Sequence, residues 1–242
     1  MKNYRLTISY DGTDYHGWQR QPKKRTIQGV IEEALSNISG TRTVIHGAGR
    51  TDAGVHALAQ VAHFKADLNL DPPELQRALN AILPPDMRIN SVEKAEPDFH
   101  ARKDACSKVY LYRILNSPQI SPFLVRYVLH WPHSLDVKKM KKGAVLFKRE
   151  ADFSPFSSGR YLNPVRKVIV SRIEKKEDEI HYTVVANGFL RYMVRTMVGT
   201  LIEIGRGKIE PETIDLIFRE KNRSLAGPTA KAKGLSLVKV NY

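Results

Sequence analysis

Two hydrophobic periodicities alternate along this chain in an order that occurs twice. Tyr4 to Tyr10 places apolar side chains at every second position, as a half-buried strand requires, and Ile27, Val30, Ile31 and Leu35 within Thr26 to Ser36 recur at helical spacing. Thr43 to His46 and Ala57 to Phe64 read as two strands, Pro73 to Leu83 as a helix entered through Pro72-Pro73, and Met87 to Val92 as a further strand. That is βαββαβ. After Phe99 to Arg102 the order restarts: a strand at Lys108 to Leu115, a helix at Leu135 to Phe147, strands at Val168 to Lys175 and Glu179 to Ala186, a helix at Phe189 to Ile204 and a strand at Leu235 to Val240. A helix at Pro211 to Phe218 is inserted before the last strand. No residue-level repeat links the halves, so the duplication is one of architecture. The expected fold is α+β: two ferredoxin-like halves, 1–103 and 104–242, joined into one mainly antiparallel sheet with helices on one face and a central basic cleft.

Charge narrows the partner. Lys and Arg number 39 against 25 Asp and Glu, a formal net charge of +14. They recur in groups such as Arg20, Lys23, Lys24 and Arg25, or Lys138, Lys139, Lys141 and Lys142. A polyanion is the partner this balance favours. The basic Leu135 to Phe147 segment has only Leu135, Met140, Ala144 and Phe147 for an apolar face, enough to dock on a core but short of a membrane-surface helix. No apolar stretch approaches the length that spans a bilayer, and the alternating N-terminus is not a signal sequence. The single cysteine, Cys106, excludes an intramolecular disulfide and any multi-cysteine zinc site, and with these features points to a cytoplasmic protein.

The chemistry-bearing run is HGAGRTDAGVHA, His46 to Ala57, in which Asp52 stands among Gly47, Gly49 and Gly54. Glycines let a loop turn tightly and approach a ligand, so the loop can present one carboxylate at the floor of a cleft. A phosphate-binding loop does not fit, because its glycine pattern would need glycine at Asp52, and no Gly-Lys-Ser/Thr follows. The residues alone leave open a plain connection in which Thr51-Asp52 caps a turn, and a metal site drawn from His46, Asp52, His56 and His63.

Several separated segments together resemble the TruA family of tRNA pseudouridine synthases. Ala48 to Phe64, AGRTDAGVHALAQVAHF, resembles that family's catalytic loop and following strand; Lys108 to Ile114, KVYLYRI, its tyrosine-bearing strand; Gly188 to Gly199, GFLRYMVRTMVG, the helix with its site arginine; and Ala226 to Leu237, AGPTAKAKGLSL, its C-terminal signature. The resemblance implies the pseudouridine synthase fold and isomerisation of uridine in the tRNA anticodon stem-loop, without cofactor or metal, by a homodimer. It makes Asp52 the nucleophile, Tyr110 the residue contacting the target base and Arg195 the partner of the aspartate. The residue types suit these roles, since an ionised carboxylate can attack an electron-poor carbon and leave again, and a guanidinium keeps it charged. Arg195 sits on an otherwise apolar helix, where an unpaired charge would be costly. Arg50 and Arg191 are expected to contact RNA, as are Trp18 and Gln19 in the loop Tyr10 to Gln21, where the residues equally allow Trp18 to pack inside. Tyr110 and Tyr112 point the same way from their strand and offer a stacking surface or, as readily, core.

The chain departs from the family pattern at Lys103, Ala151 and Lys231. Two rival functions follow from the residues: an RNA-binding protein without chemistry, which leaves the Asp52 loop idle, and a metal-dependent nuclease using Asp11, Asp14 and Asp52.

Overall fold

The computed structural model describes residues 1–242. The strands, ten in number, are β1 Lys2–Tyr10, β2 His46–Gly47, β3 His56–Ala66, β4 Met87–Ala95, β5 Ser107–Leu115, β6 Leu129–His130, β7 Glu150–Asp152, β8 Val165–Lys176, β9 Glu179–Ala186 and β10 Leu235–Asn241. The helices are α1 Ile27–Ser39, α2 Pro72–Ile82, α3 Val137–Leu146, α4 Met193–Gly205 and α5 Thr213–Glu220. The fold is α+β and mainly antiparallel, as expected. It divides into two compact units, Met1–Cys106 with Leu237–Tyr242, and Ser107–Ser236.

In the first unit the elements run β1, α1, β2, β3, α2, β4 and the strands lie in the order β4-β1-β3, with β2 also pairing β3. β1 is antiparallel to both neighbours, with Tyr4 opposite Phe64 and Leu6 opposite Val92. Its inward residues Tyr4, Leu6 and Ile8 are fully buried, together with Ile27, Ile31 and Leu35 of α1 and Leu75 and Leu79 of α2. Burying each such side chain contributes about 1.5–3 kcal/mol, which is why strict alternation on β1 fixes its register. α2 opens on a capping box: the Glu74 amide donates to the Asp71 carboxylate at 2.8 Å, while the Asp71 amide donates to the Glu74 carboxylate at 2.9 Å.

One expected strand is shorter than its sequence reads. Thr43 to Ile45 joins no ladder, and only His46–Gly47 pairs with β3. The reason lies in α1, whose side chains satisfy this backbone: the Thr43 amide donates to Ser36 Oγ, the Ile45 amide to Glu32 Oε1, and the Ile45 carbonyl accepts from Gln28 Nε2.

In the second unit the strand order is β5-β9-β8-β7, with β6 parallel to the end of β5. Tyr112, Tyr182 and Val184 from the sheet and Met193, Met197, Val198 and Leu201 from α4 are buried. Phe147, Phe153 and Phe156 form an aromatic group with Phe218 of α5, their ring centroids 5.0–6.4 Å apart. α4 begins at Met193, four residues later than its periodicity indicates, because Tyr192 takes a left-handed conformation at φ 63° and closes a turn first. β6 and β7, two and three residues long, are too short for any period to show. No helix is long and apolar enough to cross a membrane.

Candidate active site

The Asp52 loop is tied down along its whole length within the first unit. The Ala48 amide donates to the Val61 carbonyl at 2.7 Å and Gln60 Nε2 to the Gly49 carbonyl at 2.8 Å. The Trp18 amide donates to the Thr51 carbonyl at 3.0 Å, and the Thr51 hydroxyl lies 2.8 Å from the Tyr10 hydroxyl in a buried contact. Past the carboxylate, the Val55 amide donates back to the Asp52 carbonyl at 3.1 Å and the Gly54 amide to the Tyr15 carbonyl at 3.3 Å. Gly54, at φ 76°, makes that turn possible. The loop is therefore rigid backbone carrying a half-buried carboxylate, Asp52, with exposed Arg50 on one side and exposed Ala53 on the other.

The Tyr10 to Gln21 segment packs directly under this loop. Gly17, at φ 85°, comes so close that a Cβ there would stand 2.6 Å from the Thr51 carbonyl oxygen. Trp18 is 2% exposed and its indole lies on Gly47, where an added Cβ would stand 2.6 Å from the ring. The structure thus gives Trp18 the packing position that the residues allowed. Gln19 and Arg50 are brought together, Arg50 Nε donating to Gln19 Oε1 at 2.9 Å, and Gln19 is held in turn through Gln28. Burial pushes the Tyr10 phenol up to about 12, opposed by its contacts with Thr51 and Gln60. Burial also raises the Tyr15 phenol, reinforced by its hydrogen bond to Asp86. Nδ1 of buried His56 is 3.1 Å from both the Gly12 amide and Asp11 Oδ1.

The second unit holds the other expected residues. Tyr110, 6% exposed on β5, meets the Phe189 ring edge-on at 5.0 Å. Tyr112, two residues on, is fully buried, and its hydroxyl donates to the Lys231 carbonyl at 2.7 Å. Burial raises its phenol, with the Arg195 charge acting in the opposite direction. Tyr112 therefore belongs to the core, and the departure at Lys231 costs nothing there because the bond uses main chain. Arg195 is half-buried in the first turn of α4; its Nε donates to the Ala230 carbonyl at 2.8 Å, and the Ala230 amide donates to the Arg195 carbonyl at 3.0 Å. Two guanidinium groups approach the Tyr192 ring, Arg195 at 4.9 Å and exposed Arg191 at 4.7 Å from its centroid. Further along α4, the Gly227 amide donates to Thr200 Oγ1 at 2.9 Å, which itself donates to the Thr196 carbonyl at 2.9 Å. These bonds fasten the Ala226 to Ala230 segment to the arginine-bearing helix.

Sequence patterns do not reveal Tyr10, Gln60, Tyr192 or the Thr200–Gly227 bond. Tyr10 and Gln60 carry no local signal beyond strand alternation, and Tyr192 hides in a helical period; only Gly227, a glycine beside Pro228, marks itself. No group of three or more His, Cys, Asp or Glu side chains is arranged to hold a metal ion.

Comparison with known proteins bears on the family of the whole chain. The family profile described as tRNA pseudouridine synthase matches residues 6–103 and 144–242. The chain is 43% identical over 244 residues to tRNA pseudouridine synthase A of Caldicellulosiruptor saccharolyticus, with both chains covered in full. It is 42% identical over 251 residues to tRNA pseudouridine synthase A 1 of Desulfotalea psychrophila and 42% over 254 residues to tRNA pseudouridine synthase A of Thermodesulfovibrio yellowstonii, again across all of each chain. Matched over most of its length by the profile and over all of it by these relatives, the chain belongs to the tRNA pseudouridine synthase family, isomerases that convert uridine to pseudouridine.

Proposed function

We propose that this protein isomerises uridine in the anticodon stem-loop of tRNA, with Asp52 as the nucleophile, Arg195 as the arginine that keeps the carboxylate ionised and Tyr110 as the residue meeting the target base. The observation that carries the reading is the loop itself: one half-buried carboxylate on a backbone pinned at Ala48, Gly49, Thr51, Gly54 and Val55. Such rigidity has no use in a plain connection and is what a nucleophile needs, since an attacking group gains most when its geometry is set before substrate arrives.

The reaction breaks the N-glycosidic bond, turns the uracil and rejoins the sugar through carbon 5; the proton of carbon 5 leaves to solvent and the freed N1 takes one up. It is redox-neutral and loses no group. The carboxylate adds to an electron-poor carbon and departs when the new bond has formed. A uridine within a stacked stem must first be drawn out, at a cost of a few kcal/mol that contacts in the pocket offset. Arg50, Arg191 and Gln19, all at least partly exposed, are assigned to the RNA backbone, in keeping with the net charge of +14. The family resemblance supports a homodimer sharing one tRNA, and the single cysteine, Cys106, supports a reducing, cytoplasmic setting.

Tritium release from unmodified tRNA labelled at carbon 5 of uridine, in the presence of chelator, tests the proposal. Wild type releases tritium and Asp52→Asn releases none while still binding tRNA; mapping of the product places pseudouridine in the anticodon stem-loop. Release by Asp52→Asn at the wild-type rate overturns the nucleophile assignment, and product confined to another part of the tRNA overturns the site.

A further inference from the structure

Beneath the Asp52 loop lies a buried polar group that the roles of Asp52, Tyr110 and Arg195 do not use. Tyr10 ends β1 and is 4% exposed, Thr51 is 6% exposed, and Gln60 on β3 is fully buried. The β1–β3 register shifts between Ile8 and Tyr10, so that Tyr10 lies opposite Ala57. A bulge re-aims the side chain that follows it, and here the phenol reaches the loop instead of a cross-strand neighbour. Its hydroxyl is 2.8 Å from Thr51 Oγ1 and also lies beside Gln60, whose amide nitrogen holds the Gly49 carbonyl.

We propose that Tyr10 is a positioning residue for the isomerisation, acting through the Thr51 hydroxyl to hold the Asp52 carboxylate in its reactive setting; this rests on Asp52 being the nucleophile. Thr51 is gripped at two points, its carbonyl by the Trp18 amide at 3.0 Å and its side chain by Tyr10. With both ends of Thr51 fixed, the backbone that enters Asp52 has no remaining freedom on that side. Gln60 does the same for Gly49, two residues before Thr51. A hydrophobic contact in place of the phenol hydroxyl would fill the space but set no direction, and it would leave Thr51 Oγ1 buried without its partner. Displacement of a reacting group by the order of 1 Å costs up to about 100-fold in rate.

The test compares Tyr10→Phe, Thr51→Val, Thr51→Ser and the double variant Tyr10→Phe/Thr51→Val, each checked for folding by its thermal midpoint. Single-turnover tritium release reports chemistry and filter binding reports tRNA affinity. Tyr10→Phe and Thr51→Val each lower the single-turnover rate by about 10- to 100-fold with tRNA affinity unchanged. Thr51→Ser, which keeps the hydroxyl, recovers most of the rate lost in Thr51→Val. The double variant is no slower than the worse single variant, because both remove one hydrogen bond. An unchanged rate in Tyr10→Phe, a loss confined to affinity, or effects that multiply in the double variant overturns the proposal. If Tyr10→Phe does not fold, the contrast between Thr51→Ser and Thr51→Val decides it alone. Asp52→Asn run in parallel separates the two readings: full activity there refutes the nucleophile, whereas no activity there with a silent Tyr10→Phe refutes only the positioning role.

Discussion

Replacing Gly227 by alanine is a one-carbon change whose cost can be worked from the geometry. Gly227 does not need its conformational freedom: its φ is not positive, so alanine is allowed by the backbone. At an open site the change would stabilise the protein by about 0.4–1 kcal/mol through the unfolded chain. Here the new methyl would stand 2.5 Å from the Gly199 carbonyl group and from the Thr200 amide nitrogen, all main-chain atoms in the middle of α4. A helix backbone cannot turn aside as a flexible side chain does, so the Ala226 to Ala230 segment must lift away. Overpacking of this kind costs about 1–3 kcal/mol. Lifting also breaks the buried Gly227 amide bond to Thr200 Oγ1, a further cost of about 1–3 kcal/mol. The net loss is about 2–4 kcal/mol, which at this chain length lowers the thermal midpoint by about 5–15 °C. The same displacement loosens the paired bonds between Arg195 and Ala230, so tritium release falls by more than the stability change explains when assayed well below the midpoint. Differential scanning calorimetry with single-turnover kinetics at about 20 °C measures both. A midpoint within about 2 °C of wild type would refute the claim that these two backbones touch.

Three other perturbations follow from named contacts. Burial first, and the His100 and His46 rings second, hold His63 down to about 4, and its Nδ1 accepts from the Ala101 amide. The folded pKa lies below the unfolded 6.5, so stability is unaffected above pH 6.5 and falls as pH drops toward 4, by about 1.4 kcal/mol per unit. The unfolding free energy from urea titration therefore falls between pH 7 and pH 5 by up to about 2 kcal/mol more in wild type than in His63→Gln, and an equal fall in both would be fatal to this account of His63. Glu179 is held down to about 2 by its hydrogen bond from Arg113, with His181 adding to the effect. Its contribution is present above the unfolded 4.5 and lost as pH falls through about 2, so Glu179→Gln costs about 1–3 kcal/mol at pH 7 and little at pH 2, read by the same titration. Tyr112→Phe removes the donor to the Lys231 carbonyl and costs about 1 kcal/mol in calorimetry, with single-turnover release within about twofold of wild type; a roughly tenfold rate loss would put Tyr112 in the chemistry after all.

Where local pattern and tertiary structure ask for the same thing, the residues alone located the elements. β9 ends at the residues its alternation marks, Glu179 and Ala186, because every second side chain from Ile180 to Ala186 is buried. β1 and α1 are legible for the same reason. Disagreement arises where a polar side chain elsewhere takes over a backbone group. Thr43 to Ile45 has strand composition, yet Ser36, Glu32 and Gln28 bond its main chain before a ladder can form. Leu190 to Tyr192 has helical spacing, yet Tyr192 adopts φ 63° and its ring is approached by Arg191 and Arg195. That strained residue stands one position before α4, so a backbone cost of about 1–3 kcal/mol is tolerated beside the arginine assigned to the reaction.

The candidate site divides along the same line. Asp52 is conspicuous because glycines surround it, and Arg195 because a guanidinium on an apolar helix needs an acceptor, which the Ala230 carbonyl supplies in part. Tyr10 and Gln60 are silent, since a buried Tyr on an alternating strand looks like any core aromatic until the β1 bulge turns its hydroxyl to Thr51. Residues that do chemistry must differ in type from their neighbours and so announce themselves. Those that aim the chemistry need only the right contact at the right distance, a property of the fold that no single position in the chain carries.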